Sequence, residues 1–249
     1  MINAYVLASG SKGNATLIFN NDTSILIDFG IGKKEIEEKL SSIGKNLANL
    51  DYFLFTHAHS DHIKSYECTP IEKRYALKNI VPFVKDHELS CYKEYQLGSF
   101  LIMPIKASHD SNPTCGFLLK NDNEELVYLT DTGKISKRTF NLIKNKTYYI
   151  IESNHDVEML LNSNRPAILK SRILSYKGHL SNEDSAFYMS NLIGENTKKI
   201  VLAHLSEECN TAEKALDTYH DVFALQKINL DHIEIKCASQ HEVIELWSK

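Results

Sequence analysis

One short stretch limits this chain more than any other. Asp51-Tyr-Phe-Leu-Phe-Thr56 is an apolar, aromatic-rich run that reads as a buried strand, and it leads without a break into His57-Ala-His-Ser-Asp-His62. Three imidazoles and a carboxylate within six residues form an H-x-H-x-D-H cluster at a strand end. Imidazole and carboxylate together suit zinc, manganese or iron, and no cysteine lies beside the cluster to make a structural zinc–thiolate site. Chance would produce such a pattern in on the order of one in a thousand chains of this composition. The cysteines themselves (Cys68, Cys91, Cys115, Cys209 and Cys237) form no C-x-x-C pair, and their odd number fits separate reduced thiols. Cys209 draws notice because it is close in sequence to His204.

The strand before the cluster has neighbours of the same kind. Ala4 to Ala8, Thr16 to Phe19 and Ser24 to Asp28 read as a β-meander, with turn residues between them. Ile36, Leu40 and Ile43 recur at helical spacing over Lys33 to Ile43, and Gly44 is placed to end that helix. Further strands are expected at Leu101 to Ile105, Gly116 to Leu119, Leu126 to Thr130, Tyr148 to Glu152, Ile200 to Ala203 and Ile233 to Cys237. Helices are expected over Ser181 to Leu192, with a Ser181 cap and Asp184 completing a capping box, and over Thr211 to Leu225 behind a Thr211 cap. This mixture predicts a layered α/β or α+β fold. No linker-like or repeated segment divides the 249 residues, so residues 1–249 are expected to form a single domain. No apolar run reaches membrane-spanning length and the first residues lack a basic leader, which makes a cytoplasmic enzyme with no membrane partner the expectation.

Two metal ions ask for more donors than the cluster holds, and the later strands offer them at their ends. His109 follows Leu101 to Ile105, Asp131 follows Leu126 to Thr130 directly, and His204 follows Ile200 to Ala203 directly. Alone, each reads as a surface histidine or a turn aspartate. Beside the cluster, their recurrence at strand ends describes a metal cleft along one edge of a sheet sandwich.

With these residues in view the chain resembles the metallo-β-lactamase superfamily over nearly its whole length. Asp28 in Ile-Leu-Ile-Asp-Phe-Gly, the cluster, His109, Asp131 in Leu-Thr-Asp-Thr-Gly and His204 fall in the order of the superfamily's motifs. The resemblance implies an α+β, four-layer αββα sandwich. It implies that His57, His59 and His109 hold one divalent ion and Asp61, His62 and His204 a second, with Asp131 bridging and Asp28 orienting a ligand histidine. The ions would be zinc or manganese, with iron a third option, and a hydroxide bridging them would be the nucleophile. Asp61 would also serve catalysis by holding the water or taking its proton.

The superfamily supports several reactions, so local motifs must choose among them. Gly178-His-Leu-Ser-Asn182, followed by a helix and by Val201-Leu-Ala-His-Leu-Ser206, is similar to the arrangement in tRNase Z-type nucleases, and implies that His179 assists the leaving oxygen. Leu7-Ala-Ser-Gly-Ser-Lys-Gly-Asn14, Ser108-His-Asp110, Thr130-Asp-Thr-Gly133, Glu152-Ser-Asn-His-Asp156 and His204-Leu-Ser-Glu-Glu-Cys-Asn210 resemble the bacterial YycJ (WalJ) family of small metallo-β-lactamase-fold proteins. That family is regarded as DNA exonucleases or phosphodiesterases. Nucleic acid is therefore the implied partner, with DNA ahead of RNA. Only 72 positions separate Asp131 from His204, too few for a large inserted RNA-processing domain.

Charge agrees with that substrate without proving it. The chain carries −4 overall, yet Lys134 to Lys177 has nine basic residues against three acids, +6, which leaves −10 for the rest. The window is either a track for a phosphate backbone or a solvated face. Lys12 and the loop amides of Ser9 to Asn14 either meet a phosphate or form a plain turn. Asn154 and His155 either contact substrate or brace a turn. His87, His220, His232 and His241 are expected at the surface. Two other functions stay open: a thioester or lactone hydrolase of the glyoxalase II type, and a non-catalytic nucleic-acid-binding module.

Overall fold

The computed structural model describes residues 1–246. In chain order, the first sheet is built from β1 (Asn3–Ala8), β2 (Ala15–Phe19), β3 (Ser24–Ile27), β4 (Tyr52–Phe55), β5 (Arg74–Leu77) and β6 (Glu88–Leu89). The second contains β7 (Tyr95–Leu97), β8 (Phe100–Lys106), β9 (Cys115–Asn121), β10 (Glu124–Leu129), β11 (Tyr148–Glu152), β12 (Lys199–Ala203) and β13 (Glu234–Cys237). The last strand, β14 (Ile244–Glu245), returns to the edge of the first sheet beside β1. Each sheet is antiparallel on one side and parallel on the other. The parallel parts are β3-β4-β5-β6 and β10-β11-β12-β13.

Local chemistry accounts for the antiparallel half and burial for the parallel half. The β2–β3 turn closes because Asn20 Oδ1 accepts the amides of Asp22 and Thr23, both at 2.9 Å. A parallel pair needs a crossover, and α1 (Lys33–Ser42) supplies it between β3 and β4. Strands covered on both faces are apolar throughout instead of alternating. In β11, Tyr148 and Ile150 join the core between the sheets, while Tyr149 and Ile151 pack outward with Met189, Tyr219 and Phe223.

Those outward contacts belong to α6 (Asn182–Leu192) and α7 (Ala212–Leu225), which with α3 (Lys137–Ile143) cover the second sheet. On the first sheet α1 buries Ile36 and Leu40. The result is the α+β sandwich that the resemblance implied, with helices outside two mixed sheets. Ser181 Oγ accepts the Asp184 amide at 3.0 Å to start α6, and Thr211 Oγ1 accepts the Lys214 amide at 3.1 Å to start α7.

The strands expected from sequence are present with ends moved by at most two residues. β5, β6, β7 and β14 were not expected, because two to four residues are too few to show a period. Nor were α2 (Ser60–Ile63), α3, α4 (Val157–Asn162) and α5 (Ala167–Ile173) expected, since four to seven residues make at most about two helical turns. Among the described residues no helix is long and apolar enough to cross a membrane. For function the decisive feature is that β3, β4, β8, β10, β11 and β12 all finish at one edge of the sandwich. In sheets with parallel strands the crevice outside their carboxyl ends is where ligands sit.

Candidate metal centre

Each of those strand ends delivers a polar side chain. Asp28 follows β3, His57 and the cluster follow β4, and His109 lies three residues past β8. Asp131 lies two residues past β10, Glu152 is the last residue of β11, and His204 directly follows β12. Three of these take the left-handed backbone: Asp28 at φ 61°, Asp131 at 53° and His204 at 57°. Such conformations cost about 1–3 kcal/mol each in non-glycine residues, and they persist where the surroundings over-determine them. Here they turn the chain sharply at the strand end and bring the side chain back over the edge.

The donors converge. Ligand atoms of His57, His59 and His109 lie within 4.8 Å of one another, as do those of Asp61, His62 and His204, and those of His57, His62 and Asp131. The seven ligand candidates read from sequence are thus assembled in overlapping groups, and a fourth group joins Asp131 and His204 to Glu152 and His179, so that His57, His62, Asp131 and His204 each belong to two. The groups draw on both sheets.

These groups fit metal ions on an observation independent of resemblance. His57 Nε2, His204 Nε2 and Asp131 Oδ2 are buried with no well-formed hydrogen bond among the described residues. A buried polar atom without a partner costs about 1–3 kcal/mol, so three in one place are tolerable only where something else binds them. His59 Nδ1 and His109 Nε2 face each other at 3.3 Å. His109 Nδ1 is 3.1 Å from the Gly178 carbonyl and donates to it, which leaves the facing Nε2 with a lone pair.

Behind the donors stands a layer of groups that fix their rings. His62 Nδ1 donates to Asp28 Oδ2 at 2.7 Å, and Thr56 donates its amide to the Asp28 carboxylate at 2.9 Å. Asp28, expected to orient a ligand histidine, is thereby placed on His62. Glu152 does more than sequence reading assigned to it. Fully buried, its Oε1 accepts from His179 Nδ1 at 2.8 Å, His204 Nδ1 at 2.9 Å and the Asp131 amide at 3.2 Å. Its Oε2 accepts the amides of Thr132 at 2.9 Å and Leu180 at 3.1 Å. One carboxylate therefore orients His179 and His204 and holds the turn that carries Asp131. The signal was available in sequence, since Glu152 ends an apolar strand in the same way that Asp131 and His204 follow theirs.

The electrostatics follow from burial and mutual proximity. Burial opposes charge on His62, but the Asp131 and Asp28 carboxylates outweigh it and raise its pKa to about 10. Burial also opposes charge on His204, and Asp131, Asp61 and Glu152 overcome it, holding the ring well above the ordinary imidazole value. Glu152 resists its burial penalty through His179 and His204 and falls to about 2. Burial, joined by repulsion from His62, pushes His57 well below its ordinary value. The buried carboxylates thus favour protons on His62 and His204, and a bound metal would have to displace them.

Backbone contact fixes the cluster loop and the His179 segment. A Cβ on Gly30 would lie 1.7 Å from the Asp61 carbonyl, so only glycine lets that turn meet the cluster loop. Asn14 joins the same contact: its amide donates to the Asp61 carbonyl at 2.8 Å, and its Nδ2 lies 3.0 Å from His62 Nε2. At Gly178 a Cβ would lie 2.1 Å from the Ile173 carbonyl, so glycine lets the His179 segment rest against α5.

A cavity of about 260 Å³ opens over the donors, lined among others by Ser11, Asp61, Asn154, Arg165, Arg172 and His179. Asn154 Nδ2 donates to the His204 carbonyl at 2.8 Å. His155 is buried beside Asn154, outside that lining, and burial takes its pKa down to about 4. Lys12 is likewise outside it, in an ion pair with Glu207 at 2.6 Å. Ser9 in the same loop accepts the His204 amide at 2.7 Å, so much of this glycine-bearing loop braces the centre. Cys209 is buried in a small cluster with Leu160 and Ile173, and the cysteines are all free. His87 departs from the surface expectation: it is half-buried and stacks on Tyr75, with ring centroids 3.9 Å apart.

The basic window divides. Lys146 pairs with Glu125 at 2.9 Å, and Lys170 Nζ donates to the Leu161 and Ser163 carbonyls. Arg165 and Arg172 line the donor cavity, each paired with an acid, Glu208 and Asp110 respectively. Lys134 and Lys177 border an adjoining cavity.

Comparison with known proteins places this geometry among relatives. The family model described as "Metallo-beta-lactamase superfamily" matches residues 8–65. The chain is 37% identical over 225 residues to the exodeoxyribonuclease WalJ of Streptococcus pneumoniae (serotype 2, strain D39), with 84% of each chain covered. It is 34% identical over 224 residues to the exodeoxyribonuclease YycJ of Bacillus anthracis, again with 84% of each covered. Among solved structures, the metallo-β-lactamase fold protein YhfI from Bacillus subtilis is similar with a TM-score of 0.73 at 16% identity, covering 98% of this chain and 100% of that one.

Proposed function

This chain belongs to the metallo-β-lactamase superfamily and, within it, to the family of the WalJ and YycJ exodeoxyribonucleases, and from that premise we propose that it removes nucleotides from the ends of DNA using two divalent metal ions. It is a metal-dependent hydrolase. His57, His59 and His109 would hold one ion and Asp61, His62 and His204 the other, with Asp131 shared. When bound, the ions supply a water acidified enough to attack near neutral pH and positive charge for the phosphate. Because both sheets contribute donors, the chain is read as one domain around one centre.

The remaining work falls to side chains. Asp28 and Glu152 hold the His62 and His204 rings so that no orientation is lost when substrate arrives. Asp61, whose side chain is 23% exposed, faces the cavity and can accept the proton of the attacking water. His179 carries the reading toward phosphodiesters. Its Nδ1 is fixed on Glu152 at 2.8 Å while the ring lines the donor cavity, which leaves Nε2 to protonate the departing oxygen. Oxygen leaving from a phosphodiester needs that proton; a thiolate leaving from a thioester does not.

A substrate panel tests the function. The protein, loaded with manganese or with zinc, is given linear single- and double-stranded DNA, linear RNA, closed circular DNA and S-lactoylglutathione. Mononucleotides are expected from linear DNA, more slowly from RNA, and none from circles. Turnover of S-lactoylglutathione with DNA left intact would replace this reading by the thioesterase one, and DNA bound by metal-loaded protein without cleavage would replace it by the binding module.

A further inference from the structure

Next to the donor cavity lies a larger one of about 670 Å³ that shares His109 with it. Its wall includes the segment from Ala107 to Thr114, whose His109 lines both cavities. Three lysines reach it from separate parts of the chain: Lys106 at the end of β8, Lys134 after β10, and Lys177 after α5. All three are exposed. Among the described residues none of them has a carboxylate within 4.0 Å, whereas Lys12, Lys146 and Lys214 are each paired. The one acid in the lining, Asp110, is already engaged by Arg172. The rest of the lining includes Leu77, Pro113 and Ala107.

Cations without a carboxylate partner, in a lining that mixes hydroxyl and amide groups with Leu77, Ala107 and Pro113, suit a ligand with a phosphate at one end and a flat, weakly polar body at the other. The volume falls within the range of about 300–1,000 Å³ typical of sites for small ligands, large enough for a nucleotide and too small for a continuing strand. Tyr176, 75% exposed and next to Lys177, has Lys134 Nζ 5.0 Å from its ring centroid, which puts an aromatic ring beside two of the three lysines. We infer that this cavity is a terminal-nucleotide subsite, in which Lys106, Lys134 and Lys177 hold the phosphate neighbouring the one at the metal centre. The inference rests on the nuclease reading and adds to it a reason for end recognition: a cavity of single-nucleotide size that shares His109 with the metal centre accepts a strand end.

The test is binding, read independently of cleavage. Metal-loaded wild-type protein and the K106A/K134A/K177A variant are titrated with a short phosphorothioate-linked single strand bearing a 5′-phosphate, by fluorescence anisotropy at several salt concentrations. The variant is expected to bind at least tenfold more weakly. The slope of log affinity against log salt should also fall by about 0.7 for each phosphate that is no longer neutralised. On the unmodified strand the loss should fall on KM more than on kcat. K33A/K34A, which removes two positive charges from α1, is expected to bind within twofold of wild type. Equal affinity and equal salt slope in wild type and K106A/K134A/K177A overturn the subsite. Binding weakened as expected, with no strand cleaved by wild type, would instead leave the subsite standing and remove the nuclease reading.

Discussion

Replacing Asp131 with asparagine should leave a folded protein that holds at most one metal ion and turns over DNA at least about 1,000-fold more slowly, about 4 kcal/mol of barrier at ~1.36 kcal/mol per tenfold. Asparagine has the shape of aspartate and tolerates a φ of 53°, so the backbone turn should survive. What disappears is the charge. Asp131 is surrounded by imidazoles: His62 Nε2 at 3.2 Å, His204 Nδ1 at 3.6 Å, His109 Nε2 at 3.7 Å and His179 Nδ1 at 3.8 Å. Among the described residues no other carboxylate stands between the two histidine groups at comparable burial, so none of them can replace it between two cations. Metal analysis, circular dichroism and turnover on the same preparation check the prediction; two ions and near-normal turnover would refute it.

Glu152→Gln should be nearly as damaging although Glu152 is in none of the ligand assignments. The carboxylate accepts five donors, and a glutamine has one acceptor oxygen and an NH2 group. Whichever way the amide turns, its NH2 meets N–H groups that lose their acceptor, at about 1–3 kcal/mol for each buried donor stranded. His204 then loosens as a metal ligand, with affinity falling about 10- to 100-fold. His179 loosens as a proton donor, and kcat should fall about 100- to 1,000-fold. A double-mutant cycle separates this role from general destabilisation. If Glu152 works through His179, E152Q/H179A is barely slower than H179A alone, whereas independent roles give multiplied losses. KM should change much less than kcat in both single variants.

Much of this centre is legible before folding. The cluster is legible because ligand residues crowd one loop, and His109, Asp131 and His204 because each lies at the end of an apolar run. The sandwich is legible because β10, β11 and β12 are apolar on both faces, as strands between two layers must be. Other parts depend on the approach of residues far apart in the chain. The convergence of Lys106, Lys134 and Lys177 comes from three segments that only the fold brings together. The left-handed turns at Asp28, Asp131 and His204 leave no mark in residue type, since aspartate and histidine are common in many conformations. The ion pair that draws Lys12 to Glu207 joins residues nearly 200 positions apart. Charge counted along a window also misleads in part, because Lys146 and Lys170 spend their donors on Glu125 and on helix carbonyls.

The claim at the centre is that two metal ions held by these donors drive cleavage of DNA. Its most direct test is a titration of chelator-treated protein with manganese or zinc, following nucleotide release from linear DNA against ions bound per chain. Release should be absent without metal, rise with added ion and level off at two bound ions per chain. Release that persists in the fully metal-free protein, or that is complete at one ion per chain, would contradict it.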